Sequence, residues 1–359
     1  METSIHRERF NLCMSHKASD KIPSDIWIDS NDPQVKPALT QFFNLDSYED
    51  LLDYLDIDIY RFKPIVSKAA DFNDPIAKFF LPPTDNRFLS LSGDSLPRPF
   101  VNVEDPAELD KFSWPKGDIF DYSNIGEILE SQKHRVLWAQ AGTWSPVFCK
   151  LCELCGMEKI LMDMLVNPEL IHAMVEKIFL FYKDSFGRTL EASKGRLDIF
   201  GFGDDFATQQ GLMFSLDLWR LFFKEPMKKL VDIIKSYDVY VAFHSCGAIR
   251  DVIPDLIEMG VDILFPIQPR AKGMEAASLK RDFGKNLVFY GGIDVQQILP
   301  FGSETDVRRE IDRVAEIFSN DGGYIIASSH GIMNDVPPAN VFAMYDEVKK
   351  VSEKRQNAV

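Results

Sequence analysis

The chain has 359 residues, of which 45% are hydrophobic and 26% charged, a composition typical of a globular protein. Its formal net charge is -15 at pH 7 and no basic cluster compensates for it, which argues against a nucleic-acid-binding surface. The odd number of cysteines, 5, favours free thiols or metal ligands over a disulfide framework.

Nothing in the sequence points to membrane insertion or export. No apolar stretch approaches the roughly 20 residues needed to cross a bilayer. Residues 1–10 are charged and lack the apolar core of a signal peptide. We therefore expect a cytoplasmic protein that does not enter a membrane.

Strand-like apolar runs alternate along the chain with stretches of helical periodicity. This alternation predicts parallel strands joined by helical crossovers. About eight such strands favour a closed (β/α)8 TIM barrel over an open sheet. The predicted strands span residues 25–28, 57–60, 136–139, 197–202, 239–243, 263–265, 287–290 and 324–327.

The helices between these strands have recognisable start signals. Ser215 is suited to cap a helix over residues 216–223. Pro337 and Pro338 can open another helix over residues 339–348.

Residues 1–359 are expected to form one domain, because no flexible linker divides the chain. The alternation is weaker between residues 69 and 123, where Pro and Asp are frequent. We interpret this stretch as an irregular insertion or lid in the N-terminal part of the barrel.

An open, nucleotide-binding sheet is the alternative fold. The glycine pair Gly201-Phe-Gly203 continues into two aspartates, which would repel a pyrophosphate. The chain also lacks a G-x-x-x-x-G-K-[ST] segment, which excludes a P-loop site.

Two soft metal ligands stand at the end of a predicted strand. His244 and Cys246 are two residues apart, so their side chains project to the same face of an extended chain. Imidazole and thiolate are zinc ligands, and His330 offers a third ligand after the last strand. We therefore predict a zinc site, although a hydrogen-bonded histidine beside a small buried cysteine is the alternative. The fourth ligand position is open to Asp204, Asp205, Asp294, substrate or water.

Other polar residues also follow predicted strands, where a parallel barrel carries its reactive groups. Asp204 and Asp205 are the candidate catalytic acids, because two carboxylates can move a proton or bind a cation; solvated loop acids are the alternative. The Arg270 guanidinium can hold a carboxylate, or it is a surface cation. We predict Gln268, Arg270 and Asp294 as substrate-binding residues.

Cys149, Cys152 and Cys155 form a C-x2-C-x2-C run that superficially suggests an iron–sulfur cluster. A cluster motif requires a fourth cysteine and a loop-rich backbone. These thiols have helical spacing among leucines, so we expect them to pack inside the fold.

Several motifs match one protein family together. They lie at residues 142–158, 204–205, 215–220, 244–247, 290–294 and 329–332. With these motifs the chain resembles the uroporphyrinogen decarboxylase-like superfamily, and especially its zinc-dependent, cobalamin-associated methyltransferases. The resemblance covers most of the chain, is weakest before residue 130, and implies a TIM barrel. It also matches the methyltransferases' H-x-C zinc ligands to His244 and Cys246.

The chain departs from both branches of this superfamily. True decarboxylases carry an Arg-rich R-Q-A-G-R segment near the first strand, whereas residues 22–32 are acidic here. The methyltransferases have Cys where this chain has His330, and the decarboxylases have His. A neutral imidazole in place of a thiolate makes the metal a stronger Lewis acid and a bound thiolate less nucleophilic. An oxygen or nitrogen substrate is therefore an alternative to a thiol.

The resemblance implies a zinc-dependent methyltransferase of corrinoid one-carbon metabolism, in which the metal activates a thiol or another small acceptor or donor. A partner corrinoid protein would supply the methyl-corrinoid (cobalamin), since the chain has no D-x-H-x-x-G motif. A homodimer is compatible with the same resemblance. The alternative function is a metal-independent decarboxylase in which Asp204 or Asp205 stabilises a cationic intermediate. A third is a metal- or corrinoid-binding protein without turnover.

Overall fold

The computed structural model of the protein describes residues 4–29, 32–82, 98–319 and 321–356. Its strands are β1 (Ile59–Phe62), β2 (Ile65–Val66), β3 (Phe120–Asp121), β4 (Val136–Ala139), β5 (Ile199–Gly203), β6 (Tyr240–His244), β7 (Ile263–Ile267), β8 (Val288–Ile293) and β9 (Tyr324–Ser328). Seven of them form a curled parallel sheet in the order β1-β4-β5-β6-β7-β8-β9, while β2 and β3 form a separate antiparallel pair.

Helices connect the parallel strands and surround the sheet. The Ser215 side chain accepts a hydrogen bond from the backbone amide of Leu218 at 3.2 Å, as expected for a cap. The α-helices are α1 (Ile5–Met14), α2 (Val35–Phe42), α3 (Tyr48–Tyr54), α4 (Ile125–Ser131), α5 (Phe148–Cys155), α6 (Met157–Val166), α7 (Pro168–Ser193), α8 (Leu216–Trp219), α9 (Glu225–Lys235), α10 (Ile253–Met259), α11 (Ala276–Phe283), α12 (Ile298–Phe301), α13 (Glu304–Phe318) and α14 (Pro338–Gln356).

The N-terminal segment 23–29 joins the two edges of the curled sheet. Ser24 forms an isolated parallel bridge with Ile326 of β9, and Ile28 forms a second one with Ile332. On the other side, the amide of Asp58, just before β1, donates to the Ser24 carbonyl at 3.0 Å. The sheet and this segment together have the architecture of a TIM-like barrel.

The predicted strands from residue 57 onward are confirmed, with ends that differ by at most three residues and with 136–139 matched at both ends. The prediction for residues 25–28 is wrong in detail, because this segment pairs through isolated bridges and not as a regular strand. The helix predicted over residues 216–223 is α8 followed by a π-helical turn at Arg220–Lys224. The helix predicted over residues 339–348 is confirmed within the longer α14.

Side chains of the parallel strands alternate between the barrel interior and the shell of helices, as the pleat requires. Helix α1 closes the N-terminal end of the barrel with Phe10 and Cys13, each 1% exposed. The buried interior cluster consists of Phe10, Cys13, Ile59, Val136, Trp138, Ile199, Ala242, Ile263, Phe265, Val288, Tyr290, Ile325 and Ala327, with Trp27 packed against it.

The stretch predicted as an insertion has little regular structure where it is described. Residues 69–82 and 98–123 contain β3 and short 3-10 helices at Ala77–Phe79, Pro106–Lys111 and Gly117–Ile119. The rest of the stretch, residues 83–97, lies outside the described residues.

Among the residues that the structure describes, no helix combines the length and hydropathy that a membrane crossing requires.

A group of charged residues lies at the N-terminal end of the barrel, around the fully buried carboxylate of Asp58. Asp58 Oδ1 contacts His6 Nδ1 at 2.8 Å and Arg9 Nη1 at 3.1 Å, and its Oδ2 contacts Lys21 Nζ at 3.1 Å. Asp56 also pairs with Arg9 and Lys21. We call His6, Arg9, Lys21, Asp56 and Asp58 the floor cluster. It ties α1 and the N-terminal segment to the start of β1.

Replacing Asp58 with Asn is expected to lower the free energy of unfolding by about 3 kcal/mol, because it leaves buried cations without their counter-charge. Urea unfolding at pH 7 measures the change. Asp56→Asn is the matched control, since the Asp56 side chain is 31% exposed, and we expect a loss of about 1 kcal/mol. Equal losses in both variants would contradict a special role for the buried carboxylate.

The stabilisation by Asp58 is also expected to depend on pH. Burial alone would raise the pKa of Asp58, but Lys21, His6 and Arg9 outweigh it and lower the pKa from 3.8 to about 2. A carboxylate with a lowered native pKa stabilises the fold above pH 3.8 and loses that contribution as pH falls towards 2. The stability gap between wild type and Asp58→Asn should therefore shrink by about 2 kcal/mol over this range. A gap that stays constant would contradict the assignment.

Candidate active site

His244 and Cys246 lie together at the C-terminal end of β6. His244 is the last residue of the strand and its side chain points into the barrel mouth, where the residue is 6% exposed. Its Nε2 lies 3.6 Å from Cys246 Sγ. The chain turns directly after Cys246, at Gly247 with φ 84°. A Cβ there would lie 2.7 Å from the Ala207 carbonyl oxygen, so the turn requires glycine.

Asp205 completes a set of three possible metal ligands. Its Oδ1 lies 3.4 Å from His244 Nε2 and accepts a hydrogen bond from the Cys246 amide at 2.7 Å. One ligand atom from each of Asp205, His244 and Cys246 lies within 4.8 Å of the others. We call these three residues the ligand triad.

The environment of the ligand triad determines which of its groups are ionised. Burial raises the pKa of the Cys246 thiol well above its ordinary value, and the charge of Asp205 adds to the effect. Burial would also raise the pKa of Asp205, but His244 and the Cys246 amide outweigh it and lower the pKa. Without a cation the triad therefore holds an ionised carboxylate beside a protonated thiol. Metal binding would release the thiol proton.

His330 lies beside the triad but not within it. Its ring centre is 6.5 Å from that of His244, and Trp27 contacts both rings, at 4.8 Å from His330 and 5.6 Å from His244. Two imidazoles on one zinc ion, with Zn–N bonds of about 2.1 Å, bring their ring centres closer than this. His330 would have to move towards His244 to share an ion, so its role as a ligand stays a prediction. Burial lowers the pKa of His330, and the nearby His244 adds to this.

Asp204 has a different environment from its neighbour Asp205. It is fully buried, and its carboxylate accepts hydrogen bonds from the backbone amides of Val147 at 2.9 Å, Cys149 at 3.1 Å and Phe148. These amides belong to the start of α5, so Asp204 caps this helix. Burial raises the pKa of Asp204 to about 7, although the helix amides oppose the shift. Its predicted catalytic role stays a prediction.

Gln268 supports the loop that carries Cys246. Its Oε1 accepts hydrogen bonds from the Gly247 amide at 2.8 Å and from Gln209 Nε2 at 3.2 Å. The loops after β5, β6 and β7 are thus tied together at one side chain. The contact with substrate predicted for Gln268 stays a prediction.

Arg270 and Asp294 pair with each other. Arg270 Nε donates to Asp294 Oδ2 at 2.6 Å, and Asp294 Oδ1 accepts from the Gln296 amide at 2.7 Å. Asp294 is 4% exposed, whereas the Arg270 side chain is 49% exposed. Asp294 therefore fixes the position of a guanidinium on a half-exposed side chain. Whether the pair binds substrate is left as a prediction.

The three cysteines at helical spacing are interior residues, as expected. Cys149, Cys152 and Cys155 all lie on α5 and are at most 1% exposed. Burial raises the pKa of Cys155 to about 12. Such thiols are unreactive and pack against the core.

The sequence interpretation missed a charged residue inside the barrel. Arg61 on β1 donates from Nε to the carboxylate of Asp25, which also accepts from the Tyr290 hydroxyl at 2.8 Å. The guanidinium carbon lies 3.8 Å from the centre of a Trp138 ring. Gly201 makes room for this indole, because a Cβ there would lie 2.3 Å from Trp138 Nε1. The sequence feature that could have identified Arg61 is a charged residue at an inward position of an otherwise apolar strand.

The fold is similar to that of a solved methyltransferase structure. A methyltransferase from Methanosarcina mazei has a TM-score of 0.62 and 14% sequence identity, over 97% of this chain and 99% of that chain. At this identity the likeness shows a shared fold. The YdhT protein from Bacillus subtilis has a TM-score of 0.42 and 13% identity, over 96% and 91% of the two chains. A B12-independent methionine synthase from Shewanella sp. W3-18-1 has a TM-score of 0.39 and 14% identity, over 66% and 68%. These last two scores are too low to bear on the site.

The comparison with models of protein families identifies the family of the chain. The family model for uroporphyrinogen decarboxylase (URO-D) matches residues 95–351. This range contains β4 to β9 and the whole ligand triad. The chain therefore belongs to the uroporphyrinogen decarboxylase family.

Proposed function

We propose that this protein is a zinc-dependent methyltransferase that acts on a small molecule and receives or delivers the methyl group through a separate corrinoid protein. The observation that carries the proposal is the ligand triad, whose three donor atoms lie within 4.8 Å of one another at the barrel mouth. Family membership and the fold shared with a methyltransferase support it.

The donors of the triad suit zinc. Thiolate, imidazole and carboxylate are all zinc ligands, and three protein ligands leave a fourth position for substrate, as a catalytic zinc site requires. Magnesium and calcium prefer oxygen donors alone, so Cys246 argues against them. Zinc bound by Asp205, His244 and Cys246 would supply a positive charge that keeps a substrate thiol or hydroxyl deprotonated at neutral pH.

The residues around the triad have supporting roles in this proposal. The ionised Asp205 also accepts a hydrogen bond from the Cys246 amide at 2.7 Å, which positions the thiol beside it. Gln268 fixes the Cys246 loop through the Gly247 amide, at 2.8 Å. His330 is the adjacent imidazole that can bind a substrate, pass a proton, or approach the ion as a further ligand. Asp204 holds α5 in place beside these groups.

Decarboxylation is the second candidate, because the family model is that of the decarboxylases. Arg61 also favours it, as a cation that could meet a substrate carboxylate near the mouth. The carboxylates at the mouth argue against a decarboxylase substrate, because the ionised Asp205 repels another carboxylate. Asp294 also already accepts the hydrogen bond from Arg270 Nε. Among the described residues, Arg61 and Arg270 are each already paired with an aspartate, so they offer limited positive charge to a substrate with many carboxylates. We therefore rank decarboxylation second.

Removing a ligand of the triad should reduce zinc affinity by about 100-fold or more, since even residues that only orient metal ligands contribute about 10- to 100-fold. The variants are Asp205→Ala, His244→Ala and Cys246→Ala, measured by metal content and by chelator competition. His330→Ala should cost about tenfold or less, because its ring is 6.5 Å from His244.

Two matched controls accompany the zinc measurement. Cys155→Ala removes a buried thiol from α5, and His134→Ala removes an exposed histidine, so both should bind zinc as wild type does. A full loss of zinc in His330→Ala with full retention in Asp205→Ala would replace Asp205 by His330 as the third ligand. Wild-type protein that takes up no zinc after reconstitution would refute the metal site.

Zinc-loaded protein should transfer the methyl group of free methylcobalamin to small thiols under anaerobic conditions. The absorbance of the corrinoid reports the loss of its methyl group. Cys246→Ala should slow the transfer by at least about 100-fold, because one metal ligand is missing. Cys155→Ala serves as the control with unchanged rate.

Methyl transfer and decarboxylation assays together decide between the two candidate functions. Zinc-loaded protein that transfers no methyl group to thiol, hydroxyl or amine acceptors would count against the methyltransferase. Loss of carboxylates from uroporphyrinogen, incubated with the protein under reducing conditions, would make decarboxylation the better description.

A further inference from the structure

We propose that Gln268 is a positioning residue that keeps the methyl group off Cys246, because its side-chain amide donates a hydrogen bond to the sulfur that binds zinc. The inference deepens the proposed function and rests on it where it assigns Cys246 to the metal and a methyl group to the reaction. The hydrogen bond itself is argued from the loops that follow β6 and β7.

Cys246 is the most nucleophilic group of the ligand triad, since thiolates attack carbon more readily than imidazole or carboxylate groups do. Its residue is partly exposed at the mouth. Attack by its sulfur on a methyl carbon would form an S–CH3 bond with the electron pair of the thiolate, while the methyl donor keeps the pair of the bond that breaks. The methylated sulfur has lost the charge that binds zinc, so this reaction would inactivate the site.

The side-chain amide of Gln268 is fixed in one orientation by its neighbours. Its Oε1 accepts hydrogen bonds from the Gly247 amide at 2.8 Å and from Gln209 Nε2 at 3.2 Å. These two donors use both lone pairs of the oxygen. A flipped amide would place its NH2 group against two N–H donors, which is unfavourable. The Nε2 group, with two hydrogens to donate, therefore lies on the other side of the amide.

This donor acts on the Cys246 thiol. Burial raises the pKa of the thiol and the charge of Asp205 adds to the effect, whereas a side-chain hydrogen bond with Gln268 acts to lower it. A hydrogen bond lowers the pKa of a thiol when it is donated to the sulfur, because it then stabilises the thiolate. The direction of this effect agrees with the amide orientation that the Gly247 contact requires.

The backbone places Gln268 beside the loop that carries Cys246. Strands β6 and β7 are parallel neighbours, with His244 in register with Phe265, and the Ser245 amide donates to the Phe265 carbonyl at 3.0 Å. Gln268 follows β7 directly and precedes a proline, so its backbone is restricted to extended conformations. The donor therefore reaches the sulfur from a neighbouring strand of the barrel.

A hydrogen bond to the ligand sulfur has two chemical consequences. It withdraws charge from the sulfur, which becomes a weaker nucleophile. The sulfur also gives less charge to a bound zinc ion, which favours ionisation of an acceptor thiol or hydroxyl at the fourth ligand position. Gln268 thus makes the ligand less reactive and the acceptor more reactive. It would determine which of the two groups is methylated.

The test is the rate at which iodomethane methylates Cys246 in zinc-loaded protein at pH 8, measured by mass spectrometry of the peptide that contains the residue. The thiolate displaces iodide, so the reaction requires neither a corrinoid nor an acceptor. Gln268→Met removes the donor and should speed the methylation by about tenfold, which corresponds to a barrier lower by about 1.4 kcal/mol. Gln268→Glu keeps an acceptor for the Gly247 amide, removes the donor, and should react faster by a similar factor.

Controls separate the donor from other effects. All rates are compared at zinc concentrations above which the rate no longer changes, so that dissociated thiol does not contribute. Gln210→Met, the same change at an exposed residue of the loop after β5, should react at the wild-type rate. The internal references are the cysteines that are at most 1% exposed, Cys13, Cys149, Cys152 and Cys155.

Two outcomes would overturn the proposal. The first is an equal rate in wild type and Gln268→Met. The second is a faster rate in Gln268→Met with a wild-type rate in Gln268→Glu, because the effect would then come from support of the Gly247 loop and not from the donor.

A spectroscopic measurement distinguishes the hydrogen bond from a merely structural role. Cobalt(II) in place of zinc gives a near-ultraviolet band in which charge moves from the thiolate to the metal. Loss of the hydrogen bond raises the energy of the sulfur electrons, so the band should move to longer wavelength in both Gln268 variants and stay in place in Gln210→Met. A band at the wild-type position in Gln268→Met would contradict the donor.

Failure of this inference is distinguishable from failure of the proposed function. If the protein transfers no methyl group from methylcobalamin, but Gln268→Met and Gln268→Glu still react faster with iodomethane, the hydrogen bond stands and the function fails. If methyl transfer occurs and both variants react with iodomethane as wild type does, the function stands and the inference fails. Protein that takes up neither zinc nor cobalt refutes both.

Discussion

The pairing of β5 with β6 continues beyond the strands themselves, and the site depends on this extension. Gly203 is in register with His244, the Asp204 amide donates to the His244 carbonyl at 2.9 Å, and Cys246 donates in turn to the Asp205 carboxylate at 2.7 Å. One parallel ladder therefore sets the distances within the ligand triad. Asp204 and Asp205, adjacent in sequence, turn to opposite sides of this ladder. One caps α5 while the other faces the mouth.

The strands could be predicted because both of their faces are buried. The interior cluster covers one face and the helical shell the other, so each strand is a short apolar run between polar segments, as in 136–139 and 324–327. The segment 25–28 has a similar apolar pattern, yet only isolated bridges hold it to the sheet. The residue pattern does not indicate how many backbone hydrogen bonds a segment makes with its neighbours. Helix starts at Ser215 and Pro338 were predictable from local chemistry alone.

The site was only partly predictable, since its key distances join strands that are far apart in sequence. The spacing of His244 and Cys246 predicted that both project to one side, and their side chains do lie 3.6 Å apart. No pattern could tell whether Asp205 or His330 lies closer to them, because that depends on the curvature of the barrel and on the packing of Trp27 against both histidines. Arg61 was overlooked because it interrupts an apolar strand of only four residues, and its partner Asp25 lies 36 positions away.

Helix α1 closes the barrel from below, with Phe10 and Cys13 against the interior cluster and the floor cluster beneath. A barrel closed at one end offers its interior groups to ligands from the other end. If the small molecule and a corrinoid protein both use that end, each obstructs the other. The order in which they arrive and leave then becomes part of the kinetics, and a slow departure would limit turnover even where the chemical step is fast.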